Sequence, residues 1–102
     1  MNVTILYFDG CPNWQQAHAR VLQALREVGA TKEVLTLRRV ETEEQAHEQS
    51  FRGSPTVLVN GRDPFADLSA SVGLACRVYP TATGPAVAPS VEQLTAALRR
   101  AR

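Results

Sequence analysis

A chain of 102 residues, 44% of them hydrophobic, has room for one small domain with a modest core. Its 11 basic and 10 acidic residues leave a net charge of +1, which offers no footprint for nucleic acid. No apolar stretch approaches the ~20 residues that cross a bilayer, and the N-terminus lacks the basic lead and apolar run of a secretory signal. A cytoplasmic protein with no membrane partner is therefore the expectation. In a reducing cytosol, any disulfide between Cys11 and Cys76 is expected to be transient.

The residues Val3-Thr4-Ile5-Leu6-Tyr7-Phe8 form an apolar, β-branched and aromatic run, which predicts a central strand covered on both faces. Asp9-Gly10 turns the chain, and Pro12 has the fixed φ suited to a first helical position. Trp14, Ala17, Val21, Leu22, Leu25 and Val28 then recur at helical spacing, with Gly29 as the terminal cap. Cys11 thus falls at a helix N-terminus, where unpaired N–H groups and the macrodipole favour a thiolate.

Lys32 to Val40 has strand composition around Val34, Leu35 and Leu37. Thr42 and Gln45 fit a capping box, opening a short polar surface helix that runs to about Ser50. Pro55 to Val59 predicts a strand ended by the turn Asn60-Gly61. Gly61 to Leu74 has no clear pattern, Ala75 to Tyr79 resumes a strand, and Thr81 to Pro89 forms a loop. Ser90 and Gln93 make a second capping box for a final helix that buries Val91, Leu94, Leu98 and Ala101. Its basic tail, Arg99-Arg100-Ala101-Arg102, complements the helix dipole. The predicted order is β-α-β-α-β-β-α. A crossover requires parallel pairing and a turn-linked pair is antiparallel, so the expected architecture is α/β, a mixed four-stranded sheet flanked by helices.

That order, a cysteine between the first strand and helix, and Gly53-Ser54-Pro55-Thr56 leading into the third strand together resemble the thioredoxin-like superfamily, over nearly the whole chain. The resemblance implies a cis bond before Pro55, packed beside Cys11, with Ser54 pairing its backbone to an extended substrate segment. Ser54, Pro55, Thr56, Pro12, Trp14 and Arg52 would shape the substrate groove, Arg52 adding positive charge. The site departs from the family's Cys-x-x-Cys: Cys11-Pro12-Asn13-Trp14 carries a tryptophan at the second cysteine's position, which rules out resolution by a neighbouring sulfur.

Three chemistries remain open. Cys11 acts alone, as in monothiol glutaredoxins, exchanging with glutathione, bacillithiol, mycothiol or a protein disulfide. Alternatively, Cys76 is a distant resolving cysteine, or the two thiolates capture a soft metal or an organomercurial. A non-catalytic binding module on the same fold is the rival from another class. For Cys76 the plain expectation is a small core residue, since alternation sets Leu74, Cys76 and Val78 on one face and its strand begins at the end of the sheet away from Cys11. His18 lies two turns beyond Cys11, ~10 Å by helical rise, too far to act as its base. His47 sits among glutamates on a solvated face, and no Cys–His spacing suggests zinc. Asp9 and Arg77 are further charges in reach by sequence alone. No cofactor is implied.

Overall fold

The computed structural model describes residues 1–101. Arg102, the last residue of the predicted basic tail, lies outside the described residues. The chain runs β1 (Val3–Tyr7), α1 (Trp14–Glu27), a 3-10 turn (Lys32–Val34), β2 (Leu35–Arg39), α2 (Glu43–Glu48), β3 (Thr56–Val59), β4 (Tyr79–Thr81), β5 (Gly84–Ala86) and α3 (Val91–Arg100).

β1 is the centre of a three-stranded sheet, with β2 parallel on one side and β3 antiparallel on the other. Strand alternation divides its side chains between two layers. Val3 and Ile5 join Val57 and Val59 against Val21, Leu25, Leu94 and Leu98 of α1 and α3. Leu6 faces the opposite way, into a smaller cluster with Val40, Ala46 and Phe51 under α2. The covered central strand is thus as its apolar composition predicts, whereas β2 is an edge strand exposed along most of its length.

Helix boundaries follow local chemistry. Ser90 accepts from the N–H of Gln93 (3.1 Å) and Gln93 Oε1 accepts from the N–H of Ser90 (2.9 Å), closing the expected capping box. At α2, Thr42 accepts from the N–H of Gln45 (3.1 Å), but the glutamine side chain reaches back one residue further, to the N–H of Glu41 (2.7 Å). The helix is also shorter than expected, ending before Ser50, whose φ is 51°. α1 starts later than a Pro12 start would have it. Gln15 N–H bonds the Pro12 carbonyl (3.2 Å) in a tightened turn, and the regular ladder begins with Ala17 N–H on Asn13 (3.3 Å).

The expected four-stranded sheet does not form. The Asn60-Gly61 turn does: both residues have positive φ (53° and 80°), and Val59 and Arg62 exchange backbone hydrogen bonds across it. The returning strand stops there, because Asp63-Pro64 follows and proline has no N–H to continue a ladder. The predicted strand over 75–79 is reduced to a single parallel bridge between Cys76 and Ser54. Strand structure resumes only at Tyr79, and β4 pairs with β5 inside the segment expected to be loop. Pro80 and Pro85 sit opposite each other in that hairpin, so both lack the N–H that a broader sheet would use. A three-stranded sheet and a separate two-stranded hairpin therefore replace the four strands.

Candidate functional site

The antiparallel register of β1 and β3 sets Leu6 beside Thr56, so the residues leading into β3 lie next to those leaving β1. Phe8 N–H reaches the Ser54 hydroxyl (3.4 Å). The chain then turns tightly, Cys11 N–H bonding the Phe8 carbonyl (3.2 Å), and this brings Cys11 Sγ to 3.6 Å from the Ser54 carbonyl oxygen. The Ser54–Pro55 bond is cis. Cys11 is wholly buried, immediately ahead of the tightened first turn of α1. In that turn Pro12 has no N–H and the N–H groups of Gln15 and Gln16 already bond Pro12 O and Asn13 O, so what the helix offers in front of it is chiefly the positive end of its dipole.

Cys76 stands on the other side of Ser54. Ser54 N–H donates to Ala75 O (2.7 Å) and Arg77 N–H donates to Ser54 O (2.9 Å), so one residue grips the chain on both flanks of Cys76. Cys11 and Cys76 form a disulfide, their Cα atoms 5.8 Å apart across 65 positions of sequence. This corrects the expected placement of Cys76 at the far end of the sheet. Nor is Cys76 a core residue: it is exposed, and Val78, expected on the same inward face, is 66% exposed. The residues that turn inward are the alternate ones, Arg77 and Tyr79.

Arg77 explains that inversion. Its guanidinium donates to Asp63 Oδ2 (2.7 Å), to the Thr56 hydroxyl (3.2 Å) and to the Phe65 carbonyl (2.5 Å), and lies 4.5 Å from the centre of the Tyr79 ring. Arginine can supply five donors in a planar fork, so a single side chain ties β3, the 63–65 turn and the Cys76 segment together. Tyr79 donates its hydroxyl to the Pro55 carbonyl, and burial pushes its phenol above the ordinary value against the opposing pull of the Arg77 cation. Gly53 makes the close approach possible. At φ 114° it has no side chain, and a Cβ there would meet Arg77 Cβ at 2.9 Å. Sequence reasoning missed Asp63 and Tyr79 and took Arg77 only as a charge in reach of the site, not as its buried anchor. The available signal, an acid before a proline and an arginine flanking a cysteine, reads equally well as solvated surface.

The other expected site residues are dispersed. Thr56 is buried and its hydroxyl donates to the Gly53 carbonyl (2.7 Å), Pro55 is buried, and both backbone polar groups of Ser54 are occupied by the chain's own residues 75 and 77. Pro12 is exposed beside Cys11, and Trp14 is half-buried, stacked on Tyr7 with ring centres 4.5 Å apart. The Arg52 guanidinium turns to the Ala70 carbonyl in the following loop. Asp9 is exposed and ion-paired with Arg39 (3.2 Å). His18 lies against the Trp14 ring, with centres 6.4 Å apart. Among the described residues no three His, Cys, Asp or Glu side chains gather as a metal site, and no helix is long and apolar enough to cross a membrane. A shallow cleft lined by Phe8, Asp9, Gly10, Arg39, Glu41 and Leu74 adjoins the chain segments that lead into both cysteines.

Compared with known proteins, the chain matches no family model, no curated protein and no solved structure.

Proposed function

We propose that this protein is a thiol-disulfide redox protein whose working unit is the pair Cys11 and Cys76. It cycles between dithiol and disulfide with a low-molecular-weight thiol such as glutathione, or with a protein disulfide. The observation that carries the reading is the pairing of one buried cysteine at a helix start with one exposed cysteine across Ser54. A purely structural staple has no need of a solvent-facing sulfur, and exposed disulfides are the more readily exchanged ones. The pair also supplies the second sulfur that Trp14 displaces from the usual Cys-x-x-Cys position, as expected for the distant-resolver chemistry. The resemblance to thioredoxin-like proteins at Cys11 and at Ser54-Pro55 supports the same reading. The binding-module alternative has less support, since the backbone groups of Ser54 that would hold a partner are already satisfied within the chain.

Two equivalents of thiol reduce the disulfide to two protein thiols and leave as one disulfide, and oxidised glutathione drives the reverse. The test equilibrates the wild-type protein in glutathione buffers of graded ratio and reads intact mass and peptide maps. A reversible two-hydrogen change mapped to the Cys11–Cys76 link supports the reading. A link that stays closed at every ratio, or glutathione on Cys11 with no link at all, overturns it.

A further inference from the structure

The two cysteines of this pair differ in burial and in the backbone around them. Cys11 is fully buried and Cys76 is exposed. Thiol–disulfide exchange is an in-line displacement, with the incoming sulfur approaching along the extension of the bond it breaks. An outside thiol can approach Cys76, an exposed residue, whereas Cys11 is wholly buried and offers no such access. The leaving sulfur must also carry negative charge, and a thiol of lower pKa leaves faster. Cys11 lies just ahead of the first turn of α1, whose positive dipole end favours a departing thiolate, whereas Cys76 lies in an extended segment with no helix behind it.

Resting on the redox reading above, we propose that Cys76 is the sulfur that exchanges with the outside thiol and that Cys11 is the buried leaving and resolving group, the reverse of the order that the position of Cys11 alone suggests. In reduction, a thiolate of the glutathione class attacks Cys76 Sγ, a new sulfur–sulfur bond forms to Cys76, and the Cys11 Sγ–Cys76 Sγ bond breaks. Cys11 departs with the electron pair and is later protonated. A second thiolate attacks the outside sulfur of the mixed disulfide and releases Cys76 as thiolate and the reductant as its disulfide. In oxidation, Cys76 attacks the incoming disulfide and expels one thiolate. Cys11 then attacks Cys76 Sγ and expels the other.

The contacts that hold the Cys76 segment beside Ser54 do not involve the disulfide. Ser54 holds the backbone at Ala75 and Arg77, and Arg77 is anchored by Asp63, Thr56 and Phe65, so opening the bond frees the Cys76 side chain and leaves the segment in place.

The test compares Cys11→Ser with Cys76→Ser, each incubated with oxidised glutathione, with mass and peptide mapping over time. Glutathione should accumulate stably on Cys76 in Cys11→Ser, more than about tenfold faster than on Cys11 in Cys76→Ser. As a check free of folding effects, the reduced wild-type protein is pulsed briefly with an alkylating agent, and the first modified residue should be Cys76. Faster reaction at Cys11, or equal rates at both sulfurs, overturns the assignment while a wild-type disulfide that still cycles leaves the redox reading standing. No adduct on either cysteine, with a wild-type disulfide that never opens, overturns both.

Discussion

Arg77 and Tyr79 hold the site from beneath, and both are sensitive to single-atom changes. The Arg77–Asp63 pair joins a buried guanidinium to a half-buried carboxylate, their side chains 7% and 18% exposed, so removing Asp63 strands the Arg77 charge in the interior. Asp63→Ala should cost about 3–5 kcal/mol in urea unfolding. It should also raise the reactivity of Cys11 toward alkylation in the reduced protein, because the covering segment loosens. An unchanged unfolding midpoint would refute the anchoring role. The phenol of Tyr79 is held protonated in the fold, where burial raises it, but ionises near ~10 in the unfolded chain. Its contribution is therefore fully present below pH ~10 and is lost as pH rises from there towards the native value. The unfolding midpoint should fall above pH ~10 in the wild type, and Tyr79→Phe should flatten that fall while starting from a lower stability. Equal alkaline slopes in the two proteins would contradict the account. Neither residue is identifiable from sequence, since an arginine between a cysteine and a valine carries no mark of burial.

The elements divide by how local their causes are. α3 was readable in its start and in the burial of Leu94 and Leu98, since the Ser90–Gln93 box and the apolar spacing lie within the helix and its cap. Thr95 and Ala97 are buried as well, however, whereas Val91 and Ala101 are only half-buried. Ser90→Ala should cost about 1 kcal/mol, measured as a shift in the denaturation midpoint. β1 was equally plain from its composition. The 75–79 segment was not. Its alternation suggested Leu74, Cys76 and Val78 inward, and Leu74 does pack on the smaller cluster. From Cys76 on, however, the order inverts and Arg77 and Tyr79 are buried, because one arginine satisfied by Asp63, Thr56 and Phe65 outweighs the burial of one valine. With only a single bridge in place of a strand, no regular pleat fixes the faces, and the cysteine turns outward. Gly53 is the hinge of this arrangement. Gly53→Ala should destabilise the protein and slow recovery of the Cys11–Cys76 link after reduction, since the new Cβ would collide with Arg77 Cβ.

Over the whole molecule, the disulfide closes a loop of 65 positions from the first βα turn to the segment before β4. By chain entropy such a link stabilises the fold by about 4 kcal/mol, a large share of what a small domain possesses. Reduction should lower the urea midpoint accordingly, with the far-ultraviolet circular dichroism of the native protein retained, because both hydrophobic clusters and the Arg77 anchor are independent of the bond. Loss of native secondary structure on reduction would make the pair a staple rather than an exchange site. The sequence by itself determined that α1, α2 and α3 form, the Ser90–Gln93 box of α3, the central strand, the Asn60-Gly61 turn and the position of Cys11 just ahead of α1. Each of these depends on residues within a few positions of one another. Only the tertiary structure decided that the fourth strand never joins the sheet, that Cys76 meets Cys11, and which sulfur faces solvent. Those outcomes depend on Ser54, Asp63 and Arg77 meeting in space, and no local periodicity encodes which distant backbone a buried polar group will satisfy.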